Sequence, residues 1–290
     1  MIQRPADLAD YERPPVDEVV IGVALWPTGI GWDQVGEYWQ QVRDAYPNVQ
    51  YMARLPIVRE VLTGQPGEIS FTPWSPFVFA APQSPIPAPV SPNQRTWLIT
   101  PDDVYVIQIQ DDAFLHNWRR RGEESYPHFE SLYEKFWELF PAFRALLEVH
   151  GIGVSIQQVE ITYVNWISDK TVADNFSPGR LAKITLPESS ERLLIDSDSL
   201  PEMQMWNGSY RIYRSKNPVA RLRVETADAF RFVPPPGRGQ QMTLTFKAPV
   251  APGTSDEMVQ ELMGMGRDVI VSAFTSLSTR EAQTSWGRFQ

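Results

Sequence analysis

The sequence predicts an α+β fold of mostly antiparallel sheets with long amphipathic helices packed on them. Its β-type runs are clustered and do not alternate singly with helices, which favours α+β over a doubly wound α/β fold. Two long segments, 127–150 and 256–277, repeat apolar residues at helical spacing. Residues 1–150 and 151–290 each combine strands with one such helix, so the chain is either two similar halves or a single packed domain.

The first half opens with a strand and a helix. Residues 16–25 are rich in Val and Ile and stop at Trp26-Pro27, the pattern of a strand. A helix is predicted over 32–46, which Pro47 ends, from apolar residues at three-to-four spacing: Val35, Tyr38, Trp39 and Val42. Five prolines within 82–92 predict an extended loop, because each removes a backbone donor and fixes φ.

A hairpin and a helix complete this half. Residues 95–100 and 103–110 predict two paired strands, and the second alternates apolar and polar residues as a half-buried strand does. The aromatic and basic segment 114–121 follows. A helix then covers 127–150, where Pro141 is expected to kink or restart it.

The second half is rich in strands. Asn207-Gly208 has the composition of a two-residue hairpin turn. A long helix covers 256–277, and the spacing of Ser278 and Glu281 predicts a capped short helix after it. Strands are predicted over six segments: 156–167, 181–186, 192–196, 203–213, 220–226 and 241–248.

Charge is divided unevenly along the 290 residues, which carry a net charge of -9. Residues 1–150 hold 11 Lys and Arg against 20 Asp and Glu, whereas 205–250 hold eight basic residues against two acidic ones. The acidic total argues against indiscriminate nucleic-acid binding, while the local excess of positive charge concerns partners more than fold.

No catalytic, cofactor or metal site is predicted. The chain has no Cys, which removes disulfides and thiolate chemistry, and its three histidines lack the spacing of a helical metal site. None of the closely spaced glycine pairs continues as a phosphate-binding loop. Asp102, Asp103, Asp111 and Asp112 bracket a predicted strand, where Asp commonly supports turns.

One candidate partner-binding cluster precedes the helix at 127–150. Trp and Arg are enriched among interface hot spots, and the cluster consists of Asn117, Trp118, Arg119, Arg120 and Arg121. The alternative is a structural role, in which Trp118 belongs to the core and the arginines form a solvated cap.

A second candidate site is a basic sheet within 205–250. Arginines interleaved with aromatic residues on a sheet bind single-stranded nucleic acid in several known modules. Candidate polyanion-binding residues are Arg211, Arg214, Lys216, Arg221 and Arg223. Any half-buried sheet with arginines outward and aromatics inward would give the same alternation.

The chain resembles a sporadically distributed family of uncharacterised bacterial proteins over nearly its whole length. The resemblance is carried by residues 15–20, by 97–100 with 106–110, by Phe114, Asn117, Trp118 and Arg119, and by 159–167. It implies no established activity. A patchy distribution implies spread by gene transfer, as with toxin–antitoxin or phage-defence loci, and the proline-rich tract at 82–92 departs from the family pattern.

These observations predict a non-catalytic protein-interaction component, such as an antitoxin, immunity or accessory factor of a mobile locus. The alternatives are a nucleic-acid-binding module that uses the 205–250 sheet, and an enzyme without a readable motif. A protein partner or a homo-oligomer is expected. The polar N-terminus and the lack of a long apolar run predict a cytoplasmic protein without membrane contact.

Overall fold

The computed structural model describes residues 4–62, 95–122, 125–168, 205–232 and 236–289. The strands in these ranges are β1 (Val16–Leu25), β2 (Asn48–Met52), β3 (Arg95–Ile99), β4 (Tyr105–Gln110), β5 (Ala113–Arg119), β6 (Ile156–Ser168), β7 (Met205–Arg214), β8 (Asn217–Arg231) and β9 (Gly237–Pro249). The helices are α1 (Trp32–Val42), α2 (His128–Val149), α3 (Asp256–Leu277) and α4 (Arg280–Ser285).

All nine strands form one antiparallel sheet in the order β2-β3-β4-β5-β1-β6-β9-β8-β7. Strands from both 1–150 and 151–290 therefore share a sheet, and β1 and β6 pair at its centre with Ile21 opposite Ile161. The predicted α+β class with antiparallel pairing is confirmed.

The long helices cover one face of the sheet. Helix α2 contacts β5 and β1, α3 contacts β6 and β9, and α1 contacts α2. Because side chains alternate between the faces of a strand, one row of directly paired residues crosses seven strands beneath these helices. The row consists of Leu98, Ile107, His116, Ile21, Ile161, Phe246 and Leu222, and all seven side chains are buried.

Several predicted boundaries agree closely with the structure. The strand over 16–25 and the helix over 256–277 match β1 and α3, and the helix over 127–150 matches α2 within one residue at each end. Pro141 neither ends nor restarts α2. Phe140 and Phe143 lie on either side of the proline, and both are buried in the core, which holds the adjoining turns in place.

Two local predictions are wrong, and one strand was not predicted. Asn207-Gly208 lies within β7, and the turn to β8 comes at Ser215 and Lys216, whose φ angles are positive. Thr279 caps the short helix α4 in place of Ser278, because its side chain accepts the backbone N–H of Ala282. The segment 114–121 was not predicted as a strand, yet most of it forms β5. The predicted strands over 181–186 and 192–196 and the proline-rich tract lie outside the described residues.

Helix α3 lies close against the sheet at Gly266. A Cβ atom there would lie 2.7 Å from Cδ1 of Phe246 and 2.8 Å from Cδ1 of Ile161. We therefore expect Gly266→Ala to lower the free energy of unfolding by about 1–3 kcal/mol, as overpacking does elsewhere. Gly36→Ala in α1 is the control, because open space surrounds that position and alanine favours a helix by about 1 kcal/mol. Urea unfolding measures both, and equal effects of the two substitutions would contradict the close approach.

No helix in the described part of the chain is long and apolar enough to cross a membrane.

Candidate functional site on the polar face of the sheet

A chain of hydrogen bonds crosses the sheet face opposite the helices. The Arg95 guanidinium donates from Nη1 to Oε1 of Gln108 at 2.8 Å, and Nε2 of Gln108 donates to Oδ1 of Asn117 at 2.8 Å. Asn117 in turn donates from Nδ2 to Oε1 of Glu18 at 2.6 Å. These four residues belong to β3, β4, β5 and β1, and all are buried. In each of the three hydrogen bonds the donor is the residue nearer Arg95 and the acceptor is the residue nearer Glu18. The chain therefore joins a buried cation to a buried carboxyl group.

Burial sets the charge states at the two ends of this chain. It raises the pKa of Glu18 to about 7, against which the hydrogen bond from Asn117 acts only partly. Burial also lowers the pKa of the Arg95 guanidinium to about 10, so Arg95 remains charged at neutral pH. A carboxyl that titrates near neutrality within a fixed polar network is a feature often seen at functional sites.

A strap formed by residues 53–62 lies against the same face. Two glutamines of the sheet hold its backbone as a neighbouring strand would. Gln110 donates to the carbonyl of Leu55 at 3.0 Å and accepts from its N–H at 3.2 Å. Gln158 donates to the carbonyl of Val58 at 3.2 Å and accepts from the N–H of Glu60 at 2.8 Å. The strap therefore runs from the end of β4 to β6.

Ion pairs fasten the strap at both ends. Arg54 pairs with Asp111 and, at 2.6 Å, with Asp112. At the other end the side chain of Glu60 is 1% exposed and pairs with both Arg221 and Arg223 of β8. Two guanidinium groups therefore bind one buried carboxylate at this end of the strap.

The strap ends over a row of basic residues on the polar face. Arg211 of β7 pairs directly with Arg221 of β8, which pairs with Lys247 of β9. Like charges that face each other across strands are destabilising unless an anion lies between them. Glu160 of β6 is the next residue in the row and pairs with Lys247 at 3.0 Å, and Glu60 supplies the second carboxylate.

The two edges of the sheet differ in charge. Edge strand β7 carries Arg211 and Arg214. Edge strand β2 has the uncharged sequence Asn-Val-Gln-Tyr-Met, and four of its five residues are exposed. Tyr51 of β2 touches the Trp32 ring edge to face, with 4.8 Å between the ring centroids.

The predicted partner-binding cluster is divided between the interior and the surface. Asn117 belongs to the buried hydrogen-bond chain, and Trp118 is 1% exposed in the hydrophobic core. A partner could contact these two side chains only if the fold opened. Arg119 and Arg121 both pair with Asp103, and Arg120 lies 5.9 Å from the Trp118 ring centroid. A partner contact by the three arginines stays a prediction.

The predicted polyanion-binding residues also separate into groups. Arg221 and Arg223 surround Glu60, whereas Arg214 pairs with Glu261 of α3 at 2.7 Å. Lys216 is exposed in the turn between β7 and β8. Arg211 shares the polar face with Arg221 and has no side-chain hydrogen bond or ion pair within the described ranges. The sheet thus brings together Arg211, Arg221 and Arg223.

His116 and Asp102 both make hydrogen-bonding contacts within the fold. His116 is buried on the helix face, where its Nε2 lies 3.1 Å from the Tyr46 hydroxyl, and burial lowers its pKa to about 3. Asp102 accepts the N–H of Val104 in the turn before β4. Among the residues the structure describes, no group of three acidic or histidine side chains is placed to hold a metal ion.

The strap and the hydrogen-bond chain were not predicted from the sequence. Glu60 and Arg54 lie in a segment without apolar periodicity, so nothing local indicates that they touch strands more than 50 residues away. One signal was present for the chain. Gln108 and Gln110 alternate with Ile107 and Ile109, which places the glutamines on a common face.

Comparison with protein-family models, with curated proteins and with solved structures finds no match for this chain, so its resemblance to the sporadically distributed bacterial family stays a prediction.

Proposed function

We propose that this protein is a non-catalytic protein-interaction component that binds an extended segment of a partner at the β2 edge of its sheet. The observation that carries the proposal is the exposed, uncharged edge strand β2. Its inner edge pairs with β3, and no strand within the described ranges pairs with its outer edge. Free N–H and C=O groups on such an edge are the groups to which an added strand hydrogen-bonds.

The contrast with β7 supports this choice of edge. Proteins protect edge strands against strand addition with charged residues, prolines or bulges. Strand β7 carries two arginines, whereas β2 has no charge and no proline. Val49 and Tyr51 point to one face of β2, since residues two apart lie on the same side of a strand. An added strand could cover both side chains while it pairs with the backbone.

Val49→Lys should weaken partner binding at this edge at least about tenfold, because a charged residue on an edge strand opposes strand addition. Val149→Lys is the matched control, since Val149 is 83% exposed at the end of α2 and far from β2 in sequence. Affinity purification from the native host, with mass spectrometry, compares wild type and both variants. The proposal fails if a stoichiometric partner stays bound to the Val49→Lys protein as it does to the control.

The partner could also be a second copy of the chain, and the same variants test this. Antiparallel pairing of two β2 strands about Gln50 would place Val49 opposite Tyr51 of the second copy. A β-branched residue facing an aromatic one is a favourable cross-strand pair. Light scattering should then show a dimer for wild type and for Val149→Lys, and a monomer for Val49→Lys.

We also propose that the chain consists of two related halves. In each half the first strand lies at the centre of the sheet and the last strand lies beside it, as β5 lies beside β1 and β9 beside β6. A long helix follows the last strand in both, α2 in one half and α3 in the other. This correspondence supports a duplicated unit.

The proposed origin in gene-transfer loci, as an antitoxin, immunity or accessory factor, rests on the family resemblance alone. Identifying the partner captured by wild type and lost from Val49→Lys tests it directly. A toxin or nuclease as that partner would support the assignment, whereas a housekeeping enzyme would contradict it.

A further inference from the structure

We propose that Arg211, Arg221 and Arg223 form a binding site for phosphate groups, and that Glu60 of the strap occupies this site as an internal substitute for the ligand. This inference is independent of partner binding at β2. It assigns the strap a regulatory role, because a phosphate-bearing ligand and the strap cannot hold the same guanidinium groups together.

The arrangement of charge on the sheet is the first step. Arg211, Arg221 and Lys247 lie directly opposite one another on three neighbouring strands, and Arg223 lies one position further along the same face of β8. Glu160 neutralises Lys247 from the adjoining strand. Glu225 lies two positions beyond Arg223 on the same face of β8, and the charges of Arg223 and Lys247 partly offset the rise in its pKa that burial causes. The row therefore carries more basic than acidic side chains, and the strap adds a further carboxylate, that of Glu60.

Glu60 supplies that anion in a geometry that resembles ligand binding. Its two carboxylate oxygens are divided between two arginines, with Oε2 accepting from Nε of Arg221 and Oε1 from an Nη2 of Arg223. Guanidinium groups bind carboxylate and phosphate oxygens through the same forked donors. A phosphate has a larger charge and more acceptor oxygens, so it could also engage Arg211, which Glu60 does not reach within hydrogen-bonding distance.

The strap can leave without breaking the sheet. Its backbone is held near this end by the Gln158 side chain and not by a ladder of paired strands. Lys247 makes one further contact with the strap, a long hydrogen bond of 3.4 Å to the carbonyl of Val58. Releasing Glu60 therefore costs a few side-chain contacts, which new contacts to phosphate would replace.

Glu60→Gln tests the proposal in the full-length protein. The amide keeps the size of the side chain but removes the charge that competes with phosphate, so the variant should bind a short fluorescein-labelled single-stranded DNA about tenfold more tightly than wild type at low salt, and the gain should vanish at high salt. Glu134→Gln is the matched control, because this substitution makes the same change in net charge. Glu134 is exposed on α2, which packs on the other face of the sheet. Thermal unfolding verifies that each variant is folded.

Two further measurements complete the test. Adding Arg221→Gln and Arg223→Gln to the Glu60→Gln protein should abolish the gain in affinity. Tripolyphosphate, a free phosphate chain, should compete with the DNA if phosphate groups alone are recognised, whereas failure to compete would assign the site to the nucleic-acid strand. The proposal is overturned if Glu60→Gln and Glu134→Gln bind the DNA equally, or if the gain survives loss of both arginines.

Hydrogen exchange gives an independent readout on the wild-type protein. The N–H of Glu60 is bonded to Gln158, so it should be protected while the strap is docked. Saturating single-stranded DNA should reduce the protection of this amide and leave the paired amides of β8 protected. Unchanged protection of the strap at saturation would contradict displacement of Glu60.

Discussion

Glu18→Gln should stabilise the protein by about 3 kcal/mol at neutral pH. The carboxyl of Glu18 has a folded-state pKa of about 7, above the value of 4.5 expected when the chain is unfolded. Between these two values the folded state binds more protons than the unfolded state, so the stability of wild type falls as pH rises from about 4.5 to 7 and then levels off. A shift of this size corresponds to about 3 kcal/mol.

The Gln variant should lack this part of the pH dependence, because an amide does not titrate and can still accept the hydrogen bond from Asn117. The two proteins should therefore have similar stability near pH 4 and differ most above pH 7. Urea unfolding across this range measures the difference. Glu134→Gln, which alters an exposed carboxylate, should follow the wild-type profile. Parallel stability profiles for wild type and Glu18→Gln would contradict the prediction, because they would show that folding does not raise the pKa of Glu18.

Arg267→Ala should have an effect of similar size and opposite sign, a loss of about 3 kcal/mol. The Arg267 side chain is 2% exposed on α3, where it pairs with Glu130 of α2 and, at 2.6 Å, with Asp268. Its guanidinium also lies 5.5 Å from the ring centroid of Phe129. Removing this buried side chain leaves a cavity between the two long helices, while Glu130 and Asp268, which are 28% and 38% exposed, lose their ionic partner.

Two other substitutions make the Arg267 prediction specific. Arg267→Met keeps most of the packing, so it should recover part of the loss and separate the ionic contribution from the volume effect. Arg280→Ala removes an exposed arginine of α4 and should leave the unfolding midpoint close to that of wild type. The clamp between α2 and α3 would be refuted if Arg267→Ala were as stable as Arg280→Ala.

The fold could be predicted from the sequence where local pattern and burial agree. Strand β1 and helix α3 were predicted at their observed bounds because Val and Ile in one, and apolar residues at helical spacing in the other, fill the core directly. The hairpin turn predicted at Asn207-Gly208 was wrong because local pattern and pairing disagree there. Its local turn preference was overridden by a register that pairs Tyr210 with Leu222 and places the turn at Ser215 and Lys216.

The candidate site could be predicted only in part, because it depends on pairing between distant strands. Arg211, Arg221 and Arg223 were recognised as a basic group, but their neighbour Glu60 is about 160 residues earlier in the chain. Similarly, Asn117 and Trp118 are adjacent in sequence, yet they point to opposite faces of β5 and take part in different structures. Residue type indicated the chemistry, whereas register decided which side chains meet.

The position of β1 also has a consequence for how this chain folds. Strand β1 lies between β5 and β6, and its pair with β6 joins Ile21 to Ile161, about 140 residues apart. Closing so long a loop is entropically costly, and proteins rich in such distant contacts fold slowly. A nascent chain must leave the β6-facing edge of β1 unpaired until β6 has been synthesised. Pairing of β1 with β6, at the most buried part of the sheet, is therefore expected to occur late in folding. Chains that have not yet formed this pair are expected to be prone to aggregation.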